Sequence, residues 1–153
     1  MSESLLYEKD EFIISTDKNK LNRVLIQKYL SESSYWAQGR TIDKVNKSIE
    51  NSLCFGVYDR NGQMAGFARV VTDYTTFGWV CDVFILDKYK GRGLGKWLIK
   101  TIVELPELYE MKRLILATRD AHELYRKYGG FQNMQSPERW MERLSLKEPV
   151  KNA

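Results

Sequence analysis

The stretch "VFILDKYKGRGLGKWLIK", residues 83–100, constrains the fold more than any other part of the chain. An apolar run of strand character ends, glycines follow at positions 91, 93 and 95, and an apolar pattern then resumes with helical spacing. Leu94, Trp97, Leu98, Thr101, Ile102 and Leu105 recur at i, i+3, i+4 and i+7, while Lys96, Lys100 and Glu104 fall on the outer side. A strand that passes through a glycine turn into an amphipathic helix calls for a mixed α/β arrangement, because each element has an apolar face to bury. Glycines at a helix start leave the first backbone N–H groups bare, at the positive end of the helix dipole, where an anion can approach closely. Lys90, Arg92 and Lys96 add positive charge. The plain alternative is a flexible connection with no ligand.

The rest of the chain supplies the partners such a unit needs. "EFIIS" reads as a strand, and Thr16 or Asp17 then caps a helix with Leu21, Val24, Leu25 and Tyr29 on one face. Thr41 caps a second helix carrying Ile42, Val45 and Ile49. "SLCFGVYD" and "QMAGFARVVTD" flank Asn61-Gly62, a strong hairpin signal, and "TFGWVCDVFIL" is the next strand. "MKRLILATR" is a strand, "DAHELYRKYGG" a short helix, and "RWMERLSL" a final strand. The order β-α-α-β-β-β-α-β-α-β, with no repeat or linker, fits one domain over residues 1–153.

Composition closes off several classes. The net charge of +4 arises from 24 basic and 20 acidic residues without a run of like charges, so no nucleic-acid arm is expected. No segment has the eighteen apolar residues of a membrane span, and the N-terminus lacks signal-peptide character, so a cytoplasmic protein is expected. Cys54 and Cys81 sit in apolar runs, outside any metal-ligand spacing, and read as reduced core thiols.

The glycine spacing departs from both common phosphate-loop patterns. Three residues separate Gly91 from Gly95 where a P-loop has four, and Gly-x-Gly-x-Gly differs from the dinucleotide Gly-x-Gly-x-x-Gly. It resembles instead the pyrophosphate-binding motif of the GNAT superfamily of N-acetyltransferases. The family's Arg/Gln-x-x-Gly-x-Gly/Ala falls on Lys90, Gly91, Arg92, Gly93, Leu94 and Gly95, with lysine in the first place. A second family pattern, Asn-x-x-Ala-x-x-Leu-Tyr-x-Lys-x-Gly-Phe, is similar to "TRDAHELYRKYGGF" at Ala121, Leu124, Tyr125, Lys127, Gly129 and Phe131. Thr118 takes the Asn position, and the pair Gly129-Gly130 inserts one residue. The likeness spans about residues 52–131.

The resemblance implies a mixed, mainly antiparallel central sheet flanked by helices. It implies acetyl-CoA as cosubstrate, no metal, and direct acetyl transfer to a primary amine of a small acceptor. The cofactor positions it implies are the backbone of Val83, Phe84 and Ile85, the loop residues Lys90, Gly91, Arg92, Gly93, Leu94, Gly95 and Lys96, and Thr118 and Tyr125. Tyr125 takes the place of the family's general acid; periodicity alone makes it a half-buried tyrosine on a short amphipathic helix. Relatives also suggest a homodimer. A non-catalytic module of the same fold, binding CoA or another phosphate ligand, stands as the alternative.

Asp82 is a carboxylate in the apolar run "WVCDVFIL", costly to bury without a partner. It serves either as a base or ammonium site, or as the partner of Arg69 or Arg119. Tyr35, Trp36 and Arg40 in "SSYWAQGR" form either the wall of an acceptor pocket or a cap over the core edge. Asp73 and Asp120 are further acidic candidates, and Asp120 is also a natural helix cap. His122, the only histidine, shares the helix face of Tyr125 at a position that is usually apolar in the family.

Overall fold

A computed structural model describes residues 4–145. Six strands form one sheet in chain order: β1 (Leu6–Lys9), β2 (Phe12–Ser15), β3 (Leu53–Tyr58), β4 (Met64–Thr72), β5 (Phe77–Ile85) and β6 (Arg113–Leu116). All neighbours are antiparallel except β5 and β6, which run parallel. The helices are α1 (Arg23–Glu32), α2 (Ile42–Glu50), α3 (Leu94–Glu104), α4 (Pro106–Tyr109) and α5 (His122–Gly129). This is the mixed, mainly antiparallel sheet flanked by helices that the sequence led us to expect.

Both faces of the sheet are covered. Phe55, Val57, Ala68 and Val70 pack with Leu94, Leu98 and Ile102 of α3. Cys54, Phe67 and Phe84 pack on the other face with Ile26 and Leu30 of α1 and Val45 and Ile49 of α2. Two-sided burial explains why "SLCFGVY" and "MAGFARVV" read as near-continuous apolar runs: a strand covered on both faces has no solvent side.

Local chemistry sets the connections. Asp59 accepts hydrogen bonds from the N–H groups of Asn61 and Gln63, both at 2.9 Å, and Gly62 takes φ 80°, closing the β3–β4 hairpin. The Thr41 hydroxyl accepts from the Lys44 N–H, capping α2 as expected. Asp17 caps only a 3₁₀ turn (Lys18–Lys20), and Asn22 caps α1. Leu21, Leu25 and Tyr29 pack against the core as expected, but the fully buried residues of α1 are Ile26 and Leu30, and Val24 is 71% exposed. Asp120 is not the cap of α5; that place belongs to Ala121, whose N–H donates to the Thr118 hydroxyl at 3.1 Å. The double glycine ends α5, with Gly130 in the left-handed conformation at φ 70°.

Two strands differ from expectation. β1, which pairs with β2 around Asp10 at φ 55°, carries no alternation that would announce it. The final strand expected in "RWMERLSL" is not formed among the described residues: Pro137–Arg139 is a 3₁₀ turn, residues 140–145 have no ladder, and Leu146 lies outside the described residues. Trp140 instead packs on Phe77, ring centroids 6.4 Å apart, with the Arg113 guanidinium 4.9 Å from its ring centre, so the segment is held by side chains and not by a ladder.

Candidate active site

The site begins where the sheet opens. β5 and β6 pair only from Phe77 with Arg113 to Val80 with Leu116, although β5 continues to Ile85. The cause lies on the other side of β5. Its register with β4 passes from Phe67–Phe84 to Arg69–Cys81, so that Asp82 and Val83 together oppose Ala68. Asp82 occupies φ 50° at this bulge. A bulge bends its strand and sharpens its twist, and here it carries β5 away from β6. The main chain of residues 81–85 is left without a strand neighbour on its β6 side.

At the far end of the opening the chain enters α3. Gly91 and Gly93 have φ 84° and 75°, and Gly93 is the N-cap with no side-chain cap. The N–H groups at the start of α3 are therefore uncapped by any side chain. A Cβ at Gly91 or Gly93 would meet nothing within 4 Å, and one at Gly95 only Ile85 at 3.9 Å. Protein packing asks for none of these glycines to lack a side chain; backbone conformation asks it of the first two, and open space in front of the helix is what all three preserve. Lys90 is engaged by Asp87 at 2.7 Å, and that hydrogen bond raises its ammonium above the usual value. Arg92 lies 5.9 Å from the Phe12 ring and Lys96 5.2 Å from that of Tyr128, contacts that leave their charge uncancelled.

Asp82 anchors the opposite wall. Its carboxylate is buried and accepts from Trp36 Nε1, Arg40 Nη1 and Arg69 Nε, each at 2.8 Å. Of the two partners considered from sequence, Arg69 is the one found. Arg69 also donates to the Ser52 hydroxyl at 3.1 Å. The loop carrying Trp36 and Arg40 is held from beneath by Ser34, whose hydroxyl donates to the Leu30 carbonyl and accepts from the Ala37 N–H. Tyr35 ties this loop to the β6–α5 connection: its hydroxyl accepts from the Arg119 N–H at 2.8 Å, and the Arg119 guanidinium sits 4.0 Å from its ring centre. Ser52 carried no sequence signal, because its role rests on a contact with Arg69, far along the chain.

Tyr125 is half-buried, edge-on to Phe131 at 5.9 Å. Burial pushes its phenol from 10.0 up to about 12, and the nearby Tyr35 phenol and Cys81 thiol act in the same direction. It therefore keeps its proton at neutral pH. Tyr125 borders the same cavity as Leu116, Ala117 and Thr118 at the end of β6, which puts it beside the opening. Thr118 follows β6; its hydroxyl accepts from Ala121 and retains a proton to donate. His122 is exposed. Asp73 is an exposed turn carboxylate, held well below its usual range by the Thr76 hydroxyl and by backbone N–H groups.

These parts lie in the order strand, glycine cradle, helix, then strand and tyrosine helix. The acetyltransferase (GNAT) family model matches residues 23–131. The chain belongs to the GNAT family of acetyltransferases. A GNAT-family protein of Xanthomonas campestris pv. campestris, classed as an acetyltransferase, is 38% identical with a TM-score of 0.85, over 90% of this chain and 96% of that one. A Gibberella zeae protein, also classed as an acetyltransferase, is 27% identical over 146 residues, 83% of this chain and 82% of its own. A GNAT acetyltransferase of Elizabethkingia anophelis with acetyl-CoA bound shares the fold at a TM-score of 0.59 and 15% identity, over 78% of this chain and 76% of that one. Within this GNAT chain, no cluster of three or more His, Cys, Asp or Glu is placed to hold a metal among the described residues. No described helix is long and apolar enough to cross a membrane.

Proposed function

We propose that the protein is an acetyl-CoA-dependent N-acetyltransferase acting on the primary amine of a small acceptor by direct attack. The observation that carries this reading is the opening between β5 and β6, with a glycine-lined helix start at one end and a half-buried, protonated phenol beside it. Acetyl-CoA supplies an activated acyl group as a thioester. The uncapped N–H groups at Leu94, Gly95 and Lys96 hold its pyrophosphate, assisted by Arg92 and Lys96, and the Thr118 hydroxyl donates to its arm. Among the main-chain N–H groups of Val83, Phe84 and Ile85, those that point away from β4 into the opening stabilise charge developing on the carbonyl oxygen, an effect worth about 3 kcal/mol per well-placed donor. Tyr125 holds the proton for the leaving thiolate at its hydroxyl oxygen.

The acceptor enters against Tyr35, Trp36 and Arg40. One Arg40 guanidinium nitrogen is spent on Asp82 and the side chain remains 23% exposed, which suits an acceptor bearing a carboxylate. Both oxygens of Asp82 are already engaged, so its role is to hold Trp36 and Arg40 in place and not to take the proton of the amine. That proton leaves through water or is already absent from the reacting amine.

Calorimetric titration with acetyl-CoA, 3′-dephospho-CoA and adenosine, followed by thiol release across an amine panel, tests the reading. Saturable binding of the two CoA compounds but not adenosine, with thiol release on adding an amine, is expected. Binding without release from any amine supports the non-catalytic module, and no binding refutes both. Arg40→Ala is expected to raise KM for the acceptor more than for acetyl-CoA.

A further inference from the structure

We propose that Trp79 and Val71 form an apolar shelf beside the reacting centre, and that the acceptor is a free amino acid whose large apolar side chain lies on it; this rests on the acetyl-transfer reading above. Val71 of β4 and Trp79 of β5 face each other across the ladder, and Ile115 of β6 is the partner of Trp79 on its other side. An indole flanked by two paired strands is normally covered, yet Trp79 is 41% exposed and Val71 36% exposed. Neither belongs to a core cluster. Large apolar groups left open side by side on a sheet mark a surface that a ligand covers.

The shelf lies on the same sheet face as the acceptor wall. Strand residues two apart share a face, so Trp79 lies on the side of Cys81, and Val71 on that of Arg69, the ladder partner of Cys81. Arg69 reaches Asp82 from that side, where Trp36 and Arg40 meet the same carboxylate. Val70 and Val80 turn the other way, into the core beneath α3. The cover that α1 and α2 give to Cys54, Phe67 and Phe84 does not extend to Val71 and Trp79. Trp140 covers Phe77, so Trp79 is left open between two covered positions, Phe77 and Asp82.

Charge and reach define the occupant. Arg40, Arg69 and Asp82 together carry one positive charge in excess, and Arg40 gives only Nη1 to Asp82, leaving the rest of its fork for a carboxylate. Asp73, the acidic residue beyond Val71, spends its carboxylate on the N–H groups and hydroxyl of its own turn. The wall therefore receives an anion and repels a second ammonium group, which disfavours a polyamine. Trp79 lies two residues, about 7 Å, from Cys81 along the strand. An amino acid with its amine in the opening and its carboxylate on Arg40 carries a large side chain across that distance. Tyr35 and Trp36, edge-on at 5.0 Å, form a stiff aromatic wall on the near side.

Thiol release from acetyl-CoA tests the shelf with phenylalanine, alanine, phenylalanine amide, a phenylalanyl dipeptide and spermidine as acceptors. Wild type, Trp79→Ala and Trp79→Phe are compared, with acetyl-CoA affinity by calorimetry as the check on folding. The wild type is expected to favour phenylalanine over alanine at least about ten-fold in kcat/KM, mainly through KM. It should favour phenylalanine over its amide by at least about ten-fold as well. Trp79→Ala should bring the phenylalanine-to-alanine ratio towards one, and Trp79→Phe should retain most of it. Equal use of alanine and phenylalanine would overturn the shelf, as would a ratio unmoved in Trp79→Ala. Preference for the amide, the dipeptide or spermidine would overturn the free amino acid while upholding acetyl transfer. Acetyl-CoA binding without thiol release from any amine would instead sink acetyl transfer, and the shelf with it.

Discussion

Asp82 holds a left-handed conformation, φ 50°, in the middle of a strand, and its carboxylate is buried among two guanidinium groups and an indole. Asn tolerates that backbone conformation about as well as Asp, so Asp82→Asn isolates the charge from the bulge. The change leaves Arg69, itself buried, without a full counter-charge, and breaking such a pair costs about 3–5 kcal/mol. Urea unfolding is expected to show that loss, whereas Arg40→Ala, at a part-exposed partner, is expected to lose less. Tyr125→Phe keeps the ring packing and removes the proton donor. Turnover is expected to fall about 10²- to 10⁴-fold, with acetyl-CoA affinity unchanged in calorimetry; unchanged turnover would take Tyr125 out of the mechanism. Tyr125 was legible from its motif and Asp82 from its oddity in an apolar run. What Asp82 does was not legible, because Trp36, Arg40 and Arg69 reach it across 46, 42 and 13 residues of chain.

At the scale of the element, α3 shows local stability and ligand space working against each other. Glycine inside a helix is less favourable than alanine by about 0.8–1.0 kcal/mol, and Gly95 has room for a Cβ. Gly95→Ala is therefore expected to raise the melting temperature while weakening acetyl-CoA binding in calorimetry; equal or tighter binding would show that the helix start does not meet the ligand. Gly93→Ala behaves differently, since φ 75° imposes about 1–2 kcal/mol of strain on an L-residue, and both stability and binding should drop. Periodicity placed α3 and α2 correctly because their apolar stripes are strong and their caps unambiguous. It started α1 too early, missed Ile26 and Leu30 and put Val24 on the buried face, because Asp17 and Asn22 are both cap residues five positions apart and only packing against the sheet chooses between them.

At the scale of the molecule, burial on both sheet faces ties stability to pH on the alkaline side. Burial raises the Cys54 thiol from 9.0 to about 12 and the Cys81 thiol from 9.0 to about 11, alongside Tyr125 from 10.0 to about 12. Each group has a folded pKa above its unfolded one, so the folded state binds more protons over that interval. Their contribution is complete below pH 9 and is lost as pH rises through the folded values near 11 and 12, by at most about 1.4 kcal/mol per pH unit for each group. Chemical unfolding at pH 8 and pH 10 is expected to show a lower midpoint at pH 10, and Cys54→Ala should reduce that difference. A midpoint independent of pH in the wild type would show that the thiols are accessible to solvent in the folded state.

Local signals settled the order of most elements, the hairpin at Asn61-Gly62 and the glycine-lined helix start, since each depends on neighbours within one turn or one strand. They also pointed to a final strand in "RWMERLSL" that its described residues, 139–145, do not form. Whether a strand-forming segment becomes a strand depends on its backbone meeting an edge in register, which sequence spacing does not contain. Tertiary structure alone decided the bulge at Asp82, the divergence of β5 from β6, and the wall built by Trp36, Arg40 and Arg69. Each of these arises from register between strands or from side chains meeting across long stretches of chain. Periodicity reports which face of an element is apolar and is silent on what that face will meet.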